Sequence, residues 1–218
     1  MNARAAVLLP ILALLLGSCA GDEVGQSPST PSTPAAPTTP STPSSPAAAP
    51  SPTPSPSPAY VAPDPRWRFH TDDSTRYASP WYAGRHPIMI GFGCTSAPWY
   101  ASDPRCPGTQ GFHHGIDIAI PCGETLTAGV DGRIVTGGLG AAYGSKAFRI
   151  RTTEHDLIVA HAQEVLVGDG DRVTVGQPIA EVGALGAPDG CHLHLEQRST
   201  GGGLATATDP SGPLALRS

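Results

Sequence analysis

Positive charge is scarce in this chain. Of its 218 residues only 13 are lysine or arginine, Lys146 is the sole lysine, and none of them forms a run. The formal net charge is -5, so the electrostatic footprint needed for non-specific binding to DNA or RNA is missing, and nucleic acid is excluded as a partner. Helical periodicity is also lacking: no stretch keeps a convincing 3.6-residue apolar period over ten or more positions. No apolar run is long enough to span a bilayer as a permanent helix. Finally, no C-x-x-C spacing occurs among the cysteines, which argues against a cysteine-rich zinc cluster.

What is present begins with a leader. Arg4 precedes the apolar run Ala5 to Leu16, which gives way to the small residues Gly17 and Ser18 ahead of Cys19. This is the layout of a signal peptide over residues 1–18. Leu16-Gly17-Ser18-Cys19 resembles the bacterial lipobox, in which the cysteine is acylated and becomes the first residue; the alternative is an ordinary cleaved leader with an incidental cysteine. A lipid on Cys19 would anchor the protein to a membrane on its outer side. From Gln26 to Pro65 the composition falls to serine, threonine, proline and alanine, so residues 19–65 read as the lipidated end and a disordered linker. Roughly forty such residues at about 3.1 Å each would reach on the order of 100 Å.

Export places the remaining cysteines in an oxidising compartment, where thiols pair. Cys94, Cys106, Cys122 and Cys191 allow three connectivities. The favoured one closes a short loop with Cys94 and Cys106 and joins Cys122 to Cys191, stapling segments that flank the histidine groups described below.

Beyond the linker, apolar and β-branched runs alternate with glycine-containing turns. Arg133–Thr136, Ala147–Arg151 and Leu157–His161 read as strands, and Asp131-Gly132 and Gly168-Asp169-Gly170-Asp171 as turns between antiparallel neighbours. The expected fold is all-β, an antiparallel sheet in one globular domain at 111–218, behind an irregular lead-in at 66–110 that contains the stretch Trp67 to Trp99.

Four of the eight histidines fall in two groups, each with an acid nearby. In His113-His114-Gly115-Ile116-Asp117-Ile118-Ala119-Ile120, strand alternation puts the isoleucines on one face and His113, Gly115 and Asp117 on the other. Parity thus selects His113 over His114 as Asp117's partner, and glycine between them would leave room for an ion. In Cys191-His192-Leu193-His194-Leu195-Glu196 the two histidines share a face while the leucines point to the core. His161 ends an apolar strand and could reach the same place. Each piece alone is weak. Together they offer three ligands and an open position for water, the arrangement of catalytic rather than structural zinc. His70, His86 and His155 are assigned no role.

The segment from about Gly111 to Arg198 resembles the LytM/lysostaphin-type zinc metallopeptidases, whose hallmark is H-x-x-x-D far upstream of H-x-H. The likeness extends to Gly115-Ile116-Asp117-Ile118-Ala119 with Pro121 and Gly123, then to Ala128, Asp131-Gly132, Gly170-Asp171-Arg172-Val173 and Gly176-Gln177-Pro178-Ile179. It implies a LytM-type β-sandwich domain in which Zn2+ is bound by His113, Asp117 and His194, with His161 and His192 as the catalytic pair. It also implies a monomeric endopeptidase acting on peptidoglycan peptides outside the cytoplasm, facing the cell wall. Two departures bear on the groove rather than on the ligands: Cys191 stands where family members usually have proline, and Ala162 where they have leucine. Two rivals are weighed. A LytM-like domain that no longer cleaves and instead activates another wall hydrolase usually lacks ligands, which are complete here. A biotinyl- or lipoyl-carrier domain shares the glycine-flanked strand pattern but needs a lysine on an exposed hairpin, and Lys146 lacks the expected methionine neighbours.

Overall fold

The computed structural model describes residues 62–218; the expected leader, Cys19 and the linker up to residue 61 lie outside the described residues. The fold is all-β, as the alternation requires. Its strands are β1 (Arg76–Ser79), β2 (Tyr82–Ile90), β3 (Gly93–Thr95), β4 (Gly111–His113), β5 (Gly115–Ile118), β6 (Thr125–Thr127) and β7 (Gly132–Thr136). They continue as β8 (Phe148–Arg151), β9 (His155–Ala160), β10 (Glu164–Val165), β11 (Arg172–Val173), β12 (Pro178–Glu181), β13 (Leu193–Ser199) and β14 (Ala207–Thr208). A single turn of α-helix, Ser211–Leu214, follows.

A long antiparallel sheet runs in the order β10-β12-β6-β2-β5-β13-β9-β8-β7-β11, with β1 added to β2 and β14 to β13, while β3 and β4 form a separate ribbon. Its centre is β5-β13-β9. Leu193 and Leu195 of β13, Ile116 and Ile118 of β5, and Leu157 and Val159 of β9 bury their side chains in one core with Phe148 and Ile150. Because side chains alternate along a strand, the same alternation presents the intervening polar residues of β5 and β13 to the opposite face. That face carries the site.

The stretch expected as an irregular lead-in contains β1, β2 and β3. β2 lies inside the sheet, pairing with β5 and β6. Its strand character is hard to read because Tyr82–Ile90 holds Gly84, Pro87 and three consecutive exposed residues, and its register slips between Ile88 and Ile90. The expected linker boundary also moves. Asp64, placed by composition in the linker, is buried, and its carboxylate accepts hydrogen bonds from the backbone N–H of Cys191 (2.9 Å) and from Arg66 (2.9 Å to its backbone N–H). Nothing in a proline- and alanine-rich context marks one aspartate as a structural acceptor; only its partner, 127 residues away, does so.

Both disulfides form as favoured from the spacing: Cys94–Cys106 across a sequence separation of 12 and Cys122–Cys191 across 69. Elsewhere, Asp156 on β9 is fully buried and holds the Arg151 guanidinium through two bonds of 2.8 Å while accepting the Gly201 N–H at 3.0 Å. Arg151 holds its carboxyl below the usual carboxylate range. A carboxyl whose pKa is lowered on folding stabilises above its unfolded pKa and loses that contribution as pH falls through the folded one. Asp156→Asn is therefore expected to lower stability by about 1–3 kcal/mol at neutral pH. The gap in melting temperature between wild type and variant should stay constant down to pH about 5 and close below pH about 4, measured by thermal melts at each pH.

Candidate metal and catalytic site

Strand register brings the two histidine groups together. On β13, His194 sits directly across from Asp117 of β5 on one side and from Ala160 of β9 on the other, and β4 carries His113 just before β5. His113 Nε2 lies 3.1 Å from His194 Nδ1 and 3.4 Å from Asp117 Oδ1, and His194 Nδ1 lies 2.7 Å from the same oxygen. All three side chains are buried. Two ligands held about 2.0–2.2 Å from one tetrahedral zinc lie roughly 3.3–3.5 Å apart, so the three atoms need shift by only a few tenths of an ångström to share an ion.

The atoms behind these three fix which nitrogen faces the site. His113 donates Nδ1–H to the Gly91 carbonyl (2.9 Å), leaving the Nε2 lone pair free. His194 donates Nε2–H to Glu196 (3.0 Å), which turns Nδ1 toward Asp117 Oδ1. Glu196 in turn accepts from the Tyr143 hydroxyl (2.8 Å) and from Arg198 Nε (2.7 Å). Orienting an imidazole through its far nitrogen is how proteins prepare a metal ligand. The donor set, its spacing and its tautomers all fit a zinc ion.

The charges of the cluster offset one another. Burial pushes Asp117 up, but His113, His192 and His194 outweigh it and leave the carboxyl well below its ordinary value. Burial likewise works against charge on His194, yet Asp117 and Glu196 push its pKa up to about 10. Glu196 is also opposed by burial, but His194 and Arg198 bring it down to about 2.

The other two expected histidines flank this triad. His192, just before β13, is buried with Nε2 3.5 Å from Asp117 Oδ1 and donates Nδ1–H to the Gly190 carbonyl (3.0 Å). His161 leaves β9 in the left-handed region, φ 61°, which a non-glycine residue adopts at a strain of about 1–3 kcal/mol, and such strain clusters at functional sites. Its Nδ1–H goes to the Leu185 carbonyl (2.8 Å), and its ring centre is 4.7 Å from that of His192. Burial first, then the neighbouring His192 and His194, lower its pKa to about 3, so His161 is neutral at physiological pH. All five side chains line a groove of about 610 Å³, walled by Trp99, Tyr100, Phe112, Tyr143, Pro188 and Leu204. Tyr100 and Tyr143 are held firmly protonated, chiefly by burial.

Parity separates His113 from His114 as expected: His114 turns aside to Arg105 (3.2 Å). His86 is occupied with the carbonyls of Ala83 and Ala119, and His70 stands edge-on to Trp99. Gly115, however, makes room for a neighbouring strand rather than for an ion. A Cβ there would lie 2.5 Å from the Leu195 carbonyl oxygen and 2.8 Å from His194 Cε1. Gly115→Ala is expected to destabilise by about 1–3 kcal/mol through overpacking. It should also weaken zinc retention by displacing His194, measured by urea unfolding and by metal content after dialysis.

Sequence reasoning passed over several residues. Glu196 and Arg198 continue the same parity as His192 and His194, a signal that was available. Tyr143, Asp189, Asp64 and Trp67 come from turns and loops with no periodicity to betray them; Trp67 donates its indole N–H to the Cys191 carbonyl (2.5 Å).

The domain that carries these residues also resembles known proteins. Peptidase family M23 matches residues 111–207. The chain is 32% identical over 123 residues to the lipoprotein NlpD/LppB homolog of Pseudomonas aeruginosa, covering 55% of this chain and 41% of that protein. It is 30% identical to the DD-carboxypeptidase/endopeptidase Mpg of Neisseria meningitidis over 58% of this chain and 25% of that one. It is also 33% identical to the murein hydrolase activator NlpD of Escherichia coli over 43% of this chain and 24% of that one. The chain thus spans less than half the length of these relatives. Among solved structures, the antimicrobial peptidase lysostaphin from Staphylococcus simulans shares the fold, with a TM-score of 0.50 and 24% identity over 66% of this chain and 55% of that one. The domain at residues 111–207, somewhat under half of the chain, is thus similar to peptidase family M23.

Proposed function

We propose that this protein is a zinc-dependent endopeptidase that hydrolyses peptide bonds in the stem or cross-bridge peptides of peptidoglycan. A lipid on Cys19 would hold it outside the cytoplasm, facing the wall. The observation that carries the reading is the convergence of His113, Asp117 and His194 to ligand atoms within 4.8 Å of one another, with two further imidazoles beside them in an open groove.

In this reading His113 Nε2, Asp117 Oδ1 and His194 Nδ1 hold the zinc. The bound ion would supply a water whose pKa is lowered from 15.7 to about 7. The chain's own groups do the rest. His192 stands beside Asp117 and His161 beside His192, with their Nδ1 protons already committed to backbone carbonyls, so their Nε2 atoms remain free to accept and return a proton. With a peptide in the groove, the aromatic walls Trp99, Tyr100, Phe112 and Tyr143 would keep water from the polar contacts beneath it and strengthen them.

A second reading, a regulator that activates another wall hydrolase without cleaving, is favoured by the likeness to the murein hydrolase activator NlpD. Digestion of purified peptidoglycan of known cross-link chemistry decides between them. Released fragments identified by mass, dependent on zinc, support the endopeptidase. Stoichiometric zinc with no fragments, together with stimulation of an added wall hydrolase, supports the regulator.

A further inference from the structure

Cys191, the residue before His192, is 3% exposed, so its backbone N–H and carbonyl are shut away from water and must find partners inside the protein. Both partners come from one short segment at the other end of the chain. The Cys191 N–H donates to Asp64 Oδ2 at 2.9 Å, and its carbonyl accepts the Trp67 indole N–H at 2.5 Å. Arg66 Nη2 lies 2.7 Å from the same carboxylate oxygen and holds that carboxyl well below the ordinary carboxylate range, so the acceptor is an anion and the bond to Cys191 is charge-assisted. Trp67 is itself packed against the cluster of Met89, Ile90, Ala97 and Ala119. Neither Asp64 nor Trp67 falls within residues 111–207, which match peptidase family M23.

The Cys191 N–H is one end of a planar peptide whose other end is the Gly190 carbonyl. That carbonyl accepts the Nδ1–H of His192 at 3.0 Å. A continuous path therefore runs from the His192 ring, through one rigid peptide, to the Asp64 carboxylate, and hydrogen bonds at both ends of a peptide strengthen each other by polarisation. Trp67 fixes the following peptide, between Cys191 and His192. Gly190 permits the approach: its φ is 95°, and a Cβ on it would lie 2.8 Å from Asp64 Cγ and Oδ2. The path also requires an N–H at position 191, which a proline would lack. His192 depends on this support more than His194 does. His194 lies within β13, paired to β5 and β9, whereas His192 precedes the strand and meets the sheet through an isolated bridge to Gly183, with a hydrogen bond of 3.3 Å.

We propose that Asp64 and Trp67 are positioning residues for His192: they fix the two peptide planes flanking Cys191, and Asp64 holds the imidazole through the Gly190 carbonyl so that Nε2 keeps its place in the groove. This rests on the hydrolase reading, in which that Nε2 moves the proton. Asp64 and Trp67 stand behind the groove and exchange no atoms with a bound peptide.

The test compares the full chain with Asp64→Ala, Asp64→Asn, Arg66→Ala and Trp67→Phe, by zinc content, by kcat and KM on a cross-linked peptidoglycan peptide well below every melting point, and by the NMR resonance of the His192 Nδ1 proton. Asp64→Ala is expected to lower kcat roughly 10- to 100-fold, as small displacements from the reacting geometry do, with KM and zinc unchanged and the proton resonance moved upfield. Asp64→Asn keeps a neutral acceptor for Cys191 and should recover part of the loss. Arg66→Ala leaves the Cys191 contact in place and should keep kcat near wild type. An unchanged kcat in Asp64→Ala, a rise in KM alone, loss of zinc, or an equal fall in Arg66→Ala each overturns the proposal. Trp67→Phe, which keeps an aromatic ring without the N–H, is expected to lower kcat by a smaller factor. It also carries the test should Asp64→Ala fail to fold, and a wild-type kcat in it overturns the proposal. If the wild-type chain retains zinc yet cleaves nothing, the hydrolase reading fails by itself. The resonance then still decides whether Asp64 holds the His192 ring, because an unmoved proton excludes it.

Discussion

His113→Ala is expected to strip the purified chain of zinc and of hydrolytic activity together, whereas His192→Ala should keep the metal and lose turnover by roughly 10²–10⁴-fold. The difference follows from geometry. His113 Nε2 points at Asp117 and His194, and its Nδ1–H is anchored on Gly91, so truncation removes one of three ligands and leaves two that cannot close a tetrahedral site. His192 lies beside the triad rather than within it. Metal content by atomic emission, measured alongside peptidoglycan release, separates the two roles. A thermal melt adds a second readout: zinc binds the native state and not the unfolded chain, so excess metal should raise the melting temperature of wild type and of His192→Ala but not of His113→Ala. Equal zinc content and full activity in both variants would refute the assignment.

The second large effect is expected at Cys122–Cys191. Its 69-residue separation closes a long loop, for which chain entropy gives about 4 kcal/mol of stabilisation, against about 3 kcal/mol for the 12-residue separation of Cys94–Cys106. Replacing Cys122 and Cys191 together by alanine should therefore lower the urea midpoint more than replacing the other pair. The functional effects should differ as well. Cys191 is the residue before His192, and its sulfur is one of three attachments that hold it, with Asp64 on its N–H and Trp67 on its carbonyl. Loss of the bridge is expected to reduce turnover even where the domain remains folded. Loss of Cys94–Cys106 acts on the loop bearing Trp99 to Asp103 at the groove wall and should change KM more than kcat. Kinetics at a temperature well below both melting points check this ordering, and equal effects of the two deletions on kcat would count against it.

How far the residues could be read in advance depended on whether they lie on a regular strand. Parity set His113 and Asp117 apart from His114, and His192 and His194 apart from Leu193, because a period of two admits only one partition of side chains between core and site; it held even though His113 ends β4, Asp117 lies on β5 and His192 precedes β13. The same rule extended to Glu196 and Arg198 would have reached the carboxylate that orients His194. β2 was not legible, since Pro87, Gly84 and a register slip blur its alternation, although it fills a central place beside β5.

Local pattern in the chain was thus enough to predict an all-β domain and to group His113 with Asp117 and His192 with His194, because strand alternation is a short-range constraint; the cysteine pairing was a preference among three connectivities, and His161 was marked only by its place at a strand end. Only the tertiary structure decided that Asp64 belongs to the domain, that Gly115 yields space to β13 instead of to an ion, and that β2 lies beside β5 inside the sheet. Those three facts depend on contacts between residues brought together by antiparallel register or by clamped turns. No property of an aspartate or a glycine in isolation specifies which distant atom it will meet.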